Sequence, residues 1–316
     1  RLWSPPFHFD ESTSETWLEF GKTLWSLLNM RHCGTTVTVF RPTVADLALT
    51  SLKKQGMSPS TGAEMKFEIQ GRTIDVNVPS WAVLEARVTE RLAQRRGFAL
   101  ATINLDHLVK LRTSASFRSA YAAQEFVTAD GNPIVWMSRL AGRPVSLIPG
   151  SAAILPLVKI AAKQGVGVAL VGSTDPVLKA AATYLEREVR DLEVVCCIAP
   201  PMGFDAKGPE AETVLERVAD SGARLCFVAM GAPRQEVFAA TGRKIAPNVG
   251  FVSIGAGLDF FAGTQQRAPD WAQKMQMEWL WRLFSDPRRL GPRYLKCLLI
   301  LPGHMVRAAL LRLRKG

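Results

Sequence analysis

The chain has 316 residues, of which 47% are hydrophobic and 21% charged, and a formal net charge of +11. Such a length and apolar content allow one large or two modest domains with a sizeable core, and exclude a disordered chain. The charge is uneven: Arg282 to Gly316 holds nine Lys/Arg and one Asp, a net of +8, which leaves +3 for the first 281 residues.

Residues 1–62 mix Ser, Thr and Pro with apolar pieces and read as a variable N-terminal region. Their opening, "RLWSPPFHFDESTSETW", has no long apolar run, so no secretory leader is expected. "KFEIQGRTIDVNV" (66–78) alternates around Gly71 and predicts a hairpin. Ser80 is placed to cap a helix over about 81–96. Strand, loop and helix then repeat. "GFALATIN" leads into "DHLVKLR", "EFVTAD" into "NPIVWMSRLAG", and "GVALVGSTD" into "PVLKAAATYLEREV". "LEVVCCIAPP" leads into "EAETVLERVADSG" and "ARLCFVAMGAP" into "RQEVFAATGRK", and "GFVSIGAGLDF" closes the series. This alternation predicts an α/β fold with a doubly wound, mainly parallel, Rossmann-like sheet. A small N-terminal β/α region and a basic C-terminal helical appendage flank it. The expected divisions are 1–62, an α/β catalytic domain over 63–275, and a membrane-associating appendage over 276–316. Strands buried on both faces should be continuous apolar runs, and "EVVCCIAPP" reads as such a core strand. The five cysteines, Cys33, Cys196, Cys197, Cys226 and Cys297, are odd in number and irregular in spacing, which predicts reduced thiols and a cytosolic setting.

In a doubly wound sheet, ligands sit beyond the carboxyl ends of the strands. The residues there are Thr102 and Asn104, Asp130 and Gly131, Gly172 to Asp175, Gly231 to Gln235, and Gly255 to Asp259, with Gly172, Ser173, Gly231, Gly255, Gly257 and Asp259 the candidates for holding a ligand. "VGSTDP" and "MGAPRQE" each place Gly after a strand and Pro near a helix start, where unpaired N–H groups can meet an anion. Neither G-x-G-x-x-G, nor G-x-x-x-x-G-K-[ST], nor G-x-S-x-G occurs, which counts against dinucleotide oxidoreductases, P-loop enzymes and esterases. No D-x-D pair and no zinc constellation is visible among the scattered carboxylates and histidines, so no metal is expected. Asp130 has three readings: a helix cap, a turn acid before Gly131, or a general base at the mouth of the cleft. Asp106 reads as a first-turn helix acid, and His107 as a packed or surface histidine rather than a catalyst.

The C-terminal stretch places Val306, Leu310 and Leu313 on one helix face and Arg307 and Arg314 away from it. That pattern fits a helix lying in a membrane surface, and equally a solvated basic terminus. Uncharged stretches are ~15 residues or shorter against the ~20 a spanning helix needs, so no spanning segment is expected. A nucleic-acid binder would spread its basic face over the folded body, so no nucleic-acid partner is expected either.

"TINLDHL", "ADGNPIVW", "ALVGSTD", "MGAPRQE", "GAGLDFFAG", "RAPDW" and "EWLWRLFSDPRRL", in that order, resemble the WecG/TagA/CpsF glycosyltransferases over residues 95 to 295. The resemblance implies a UDP-sugar as donor substrate with no cofactor, and a polyprenyl (undecaprenyl)-diphosphate-linked sugar as acceptor. It implies metal-independent transfer with inversion at the cytoplasmic membrane face, as in surface-polysaccharide assembly. By the same resemblance Asp130 is the catalytic base, and Thr102 and Gln235 line its pocket. Asp259 lies near the nucleoside, and Arg282 and Arg289, with Arg293 close by, close over the diphosphate. The sequence departs from the family pattern at Leu147 and Ile148, where an Arg is expected, at Ala152, where an Asp is expected, and at Pro292-Arg293, where a double Arg is expected. Three readings remain open: a hexosyl- or N-acetylmannosaminyltransferase, a non-catalytic membrane-surface relative, and a nucleotide-dependent oxidoreductase. Homo-oligomers are compatible with each.

Overall fold

The computed structural model describes residues 64–263, 283–284 and 286–313, without the Arg289 side chain. All of them belong to the unit Val44–Gly316. The N-terminal region, the expected boundaries near 62 and 275, and Arg282 lie outside the described residues.

Strands β1 (Met65–Ile69) and β2 (Arg72–Val76) pair antiparallel. Their two-residue turn, Gln70-Gly71, has positive φ at both positions (49° and 74°), the geometry that matches the twist of a tight hairpin. Met65, Phe67 and Ile69 turn inward while Lys66 and Glu68 face out, as a period of two requires. Helix α1 (Trp81–Ala93) starts where the Ser80 Oγ accepts the Val83 amide, and buries Leu84, Val88 and Leu92 four residues apart.

Six strands form the main sheet: β3 (Phe98–Ile103), β4 (Phe126–Ala129), β5 (Gly167–Gly172), β6 (Val194–Ile198), β7 (Ala223–Ala229) and β8 (Gly250–Ser253). They are ordered β4-β3-β8-β7-β5-β6, and every pair is parallel. Between and after them run α2 (Leu105–Thr113), α3 (Ala115–Ala122), α4 (Asn132–Leu140), α5 (Gly150–Lys163), α6 (Asp175–Glu188), α7 (Pro209–Asp220), α8 (Arg234–Ile245), α9 (Gly257–Phe261) and α10 (Pro287–Leu313). α1, α5, α6 and α9 share one apolar cluster with the sheet, and α7 and α8 share another. A third joins the hairpin, α2, α3, α4 and α10. The expected doubly wound α/β fold is therefore what the chain adopts.

Two expectations change. "EVVCCIAPP" is an edge strand among the described residues, where β6 pairs with β5 alone and leaves Val195 and Cys197 exposed. An apolar run reports burial on its faces and carries no sign of whether a second neighbour pairs with it. The C-terminal helix also runs unbroken through Pro292 and Pro302, so Leu290–Leu313 is long and apolar enough, by length and composition only, to cross a bilayer. It packs against α2 and α4. Leu290, Cys297, His304 and Ala308 turn inward along one stripe, and the His304 ring meets Phe67 of the hairpin edge-on at 6.0 Å.

Candidate active site

The strand order creates a crevice. From β5 the chain steps outward to β6, whereas from β7 it steps back to β8. The loops after the neighbouring strands β5 and β7 therefore lead to helices on opposite faces. Gly172 ends β5 at φ 105°, and a Cβ there would stand 2.5 Å from the Ala229 carbonyl oxygen, so only glycine fits. Ser173 follows at φ 56° and donates from Oγ to Asp259 Oδ1 at 3.1 Å, tying the β5 loop to α9. Gly231 (φ 70°) and Gly255 (φ 58°) shape the loops after β7 and β8. Gly257 starts α9 against Ser151 and Ile154 of α5. The glycine loops singled out in the sequence thus share one sheet edge.

Asp130 lies at the other end of that edge. Its amide donates to the Ile103 carbonyl at 2.8 Å, extending the β3–β4 ladder by one residue. Gly131, at φ 95°, then turns the chain and caps α4 without any side-chain cap. Asp130 is consequently not the cap of α4. Asn104 both caps α2, accepting the His107 amide at 3.0 Å, and donates from Nδ2 to Asp130 Oδ2 at 3.2 Å. The Asp130 carboxylate is half-buried and oriented by a neutral donor.

Behind it the packing is dry. Thr102 is buried, and its carbonyl lies 2.7 Å from His107 Nδ1 and accepts the Tyr121 hydroxyl. Burial lowers the His107 pKa to about 4, so the ring is neutral at physiological pH. His107 is a packed histidine, one of the structural readings that its sequence position favoured over a catalytic one.

Gln235 stands between the two ends. Its Oε1 accepts the Gly255 amide at 2.8 Å, and its Nε2 donates to Glu236 Oε1 at 2.8 Å. Both ends of the carboxamide are engaged within the protein. Lys110 donates to the Ala232 carbonyl at 3.1 Å and pairs with Asp106 at 2.8 Å; Arg293 of α10 reaches the same Asp106 at 3.8 Å. That ion-paired cluster anchors the start of α10 beside the β3 and β7 loops. Glu236, Lys110 and Tyr121 were not singled out from sequence. The one local signal was the Gln-Glu pair of "RQE", where a first-turn acid reads simply as a dipole partner.

Along the edge, β4 and β5 are four inter-strand steps apart, roughly 19 Å. A ligand that touches both Asp130 and the Ser173–Asp259 pair must be extended, with its middle over Gly231 and Gly255. A groove of about 370 Å³ opens outside β4, lined by Pro79, Asn132, Val135, Arg139 and the run Pro144–Leu147. Leu147 bridges to Ala129, and Ile148 beside it is fully buried. Neither position therefore offers a cation to that groove.

In comparison with known protein families, residues 69–315 match the one described as "Glycosyl transferase WecG/TagA/CpsF family".

Proposed function

The chain belongs to the WecG/TagA/CpsF family of glycosyltransferases, and on that premise we propose that it moves a hexosyl or N-acetylhexosaminyl group from a UDP-sugar to a polyprenyl-diphosphate-linked saccharide, with inversion. Asp130 takes the proton of the acceptor hydroxyl onto a carboxylate oxygen. The hydroxyl oxygen bonds to the anomeric carbon from one face, while the bond from that carbon to the β-phosphate oxygen breaks on the other and UDP leaves with the electron pair. The loops at Gly172, Ser173, Gly231, Gly255 and Gly257 hold the nucleotide, and Asp259 faces its nucleoside end. Arginines of the appendage, Arg293 together with Arg282 and Arg289, supply positive charge to the leaving diphosphate, a task that needs no metal. The observation that supports this reading best is the Asn104–Asp130 pair at one end of an edge whose other end is a glycine-lined crevice.

The proposal extends to the setting. α10 keeps Leu295, Leu298, Leu299, Val306, Leu310 and Leu313 exposed on one stripe, and Lys296, Arg307 and Arg312 lie beside it. An apolar stripe flanked by cations fits the anionic cytoplasmic face of a membrane, where a polyprenyl acceptor resides. A non-catalytic relative is the second reading, favoured by Leu147 and the buried Ile148 where an Arg is expected.

UDP release from a panel of UDP-sugars, with and without a detergent-dispersed polyprenyl-diphosphate-sugar, separates the two. We expect acceptor-dependent release from one donor, reduced at least ~10²-fold in Asp130→Asn with unchanged thermal unfolding. Equal turnover in that variant removes the assigned base, and no release from any donor favours the non-catalytic reading.

A further inference from the structure

Glu236 has an environment that the reaction as written does not use. It opens α8 yet is fully buried. Its Oε1 accepts Gln235 Nε2, and its backbone carbonyl accepts Gln124 Nε2 at 3.2 Å. Among the described residues two buried oxygens, Glu236 Oε2 and Gln124 Oε1, have no hydrogen-bond partner. Both are acceptors, so one proton on Oε2 makes a donor where otherwise two lone-pair-bearing atoms face an apolar interior. Beyond Glu236, Gln235 Oε1 holds the Gly255 amide, the first residue of the loop that leads to Gly257 and Asp259.

We infer that Glu236 is a positioning residue of the donor site, fixing the Gln235 carboxamide and through it the Gly255–Asp259 loop. The inference rests on the donor reading above. Glu236 does this as the neutral acid. Burial pushes its carboxyl from 4.5 to about 7, against the opposing pull of the Gln235 hydrogen bond and the Lys110 charge. The groups around it are few. Lys110 of α2 is already paired with Asp106, and Tyr121 of α3 is held protonated chiefly by burial. Strands β3 and β8 carry no charged side chain, and the charged residues of α7 are exposed. Arg224 opens β7 and is turned to Asn248, while Arg243 of α8 is paired with Glu125. His107 titrates near 4, well below the range that matters here. Above about pH 7 Oε2 becomes part of a buried anion with no donor to hold it. Relief requires the α3–α8 junction to loosen, which releases the hold on Gly255.

The test uses the full chain, isotope-labelled so that the Gly255 amide is followed by NMR between about pH 5.5 and about 8.5, the span in which a raised carboxyl ionises. The wild type and Glu236→Gln are compared, with UDP alone as the ligand in a parallel titration. Gly255 should titrate with a midpoint near 7 in the wild type and stay flat in Glu236→Gln. The Kd for UDP should rise with pH by about tenfold more in the wild type than in the variant, the change one pKa unit produces. UDP itself titrates in this range, so the difference between the two proteins is what is read. Glu236→Leu, which keeps the burial and loses the acceptor, should weaken UDP binding at every pH while still unfolding cooperatively. A Gly255 signal independent of pH in the wild type overturns the inference, as does an identical pH dependence in Glu236→Gln. If Gly255 titrates and UDP binds at no pH, the coupling stands and the donor reading is what fails.

Discussion

At the residue scale, Asn104 does two things with one side chain, and the two are separable. Its Oδ1 caps α2 and its Nδ2 orients Asp130. Asn104→Ala removes both, so we expect about 1 kcal/mol lower stability from the lost cap together with a large fall in turnover. Asn104→Asp keeps a capping oxygen and sets a carboxylate against a carboxylate. Like charges raise a carboxyl pKa, so the acid limb of the kcat/KM profile should move to higher pH while the melting temperature stays near that of the wild type. An unmoved acid limb would mean that Asp130 does not set it. Only part of this was legible in the sequence. Asp130, Gly131 and Asn104 were all picked out as strand-end residues, because a strand followed by a helix is a local pattern. Their hydrogen bond spans 26 positions of chain and exists only because β3 and β4 are neighbours.

At the scale of elements, the β5 loop and α10 give contrasting predictions. Gly172 combines φ 105° with a carbonyl 2.5 Å from any added Cβ. Gly172→Ala should therefore cost about 1–3 kcal/mol and disturb the crevice, measured as lowered stability with weakened UDP binding. α10 divides into an inward and an outward stripe. Replacing Leu299 and Val306 by Glu changes only exposed positions, so thermal unfolding should shift little while co-sedimentation with anionic vesicles falls at least about tenfold. Retained vesicle binding would argue that the exposed stripe meets something other than a lipid surface. Sequence periodicity found the Val306-Leu310-Leu313 face. It did not find that the opposite face is a seam against α2 and α4, because a helix with two apolar sides looks the same whichever side is covered.

At the scale of the molecule, two buried groups pull stability in opposite directions with pH. His107 is held neutral, its pKa lowered from 6.5 to about 4, so the unfolded chain binds the extra proton and stability is lost as pH falls from 6.5 toward 4. Glu236 is raised from 4.5 to about 7, so the native state binds the extra proton and stability is lost as pH rises from 4.5 toward 7. Each spans about 3 kcal/mol by the linkage constant, and across their common range, 4.5 to 6.5, the slopes cancel. The pair should give the wild type a flat contribution there. In Glu236→Gln the histidine slope is left alone, and denaturant unfolding should show stability climbing with pH through the same window. Parallel curves for the two proteins would refute the assignment of Glu236, and a Glu236→Gln curve flat through this window would refute that of His107.

Local residue patterns were enough for the alternation of strands and helices, the glycine loops at the strand ends, the hairpin and the family to which residues 69–315 belong. These are properties of short segments, set by side-chain period, backbone freedom at glycine and helix-start chemistry. Long-range packing set the rest. Among the described residues it placed β6 at an edge, carried α10 through two prolines by packing one face of it, and set two strands, β3 and β8, between the Asp130 strand and the β5–β7 crevice. It also buried Glu236 and joined it through Gln235 to Gly255. Strand order and burial depend on which distant segments meet, and a local pattern holds no record of its partners.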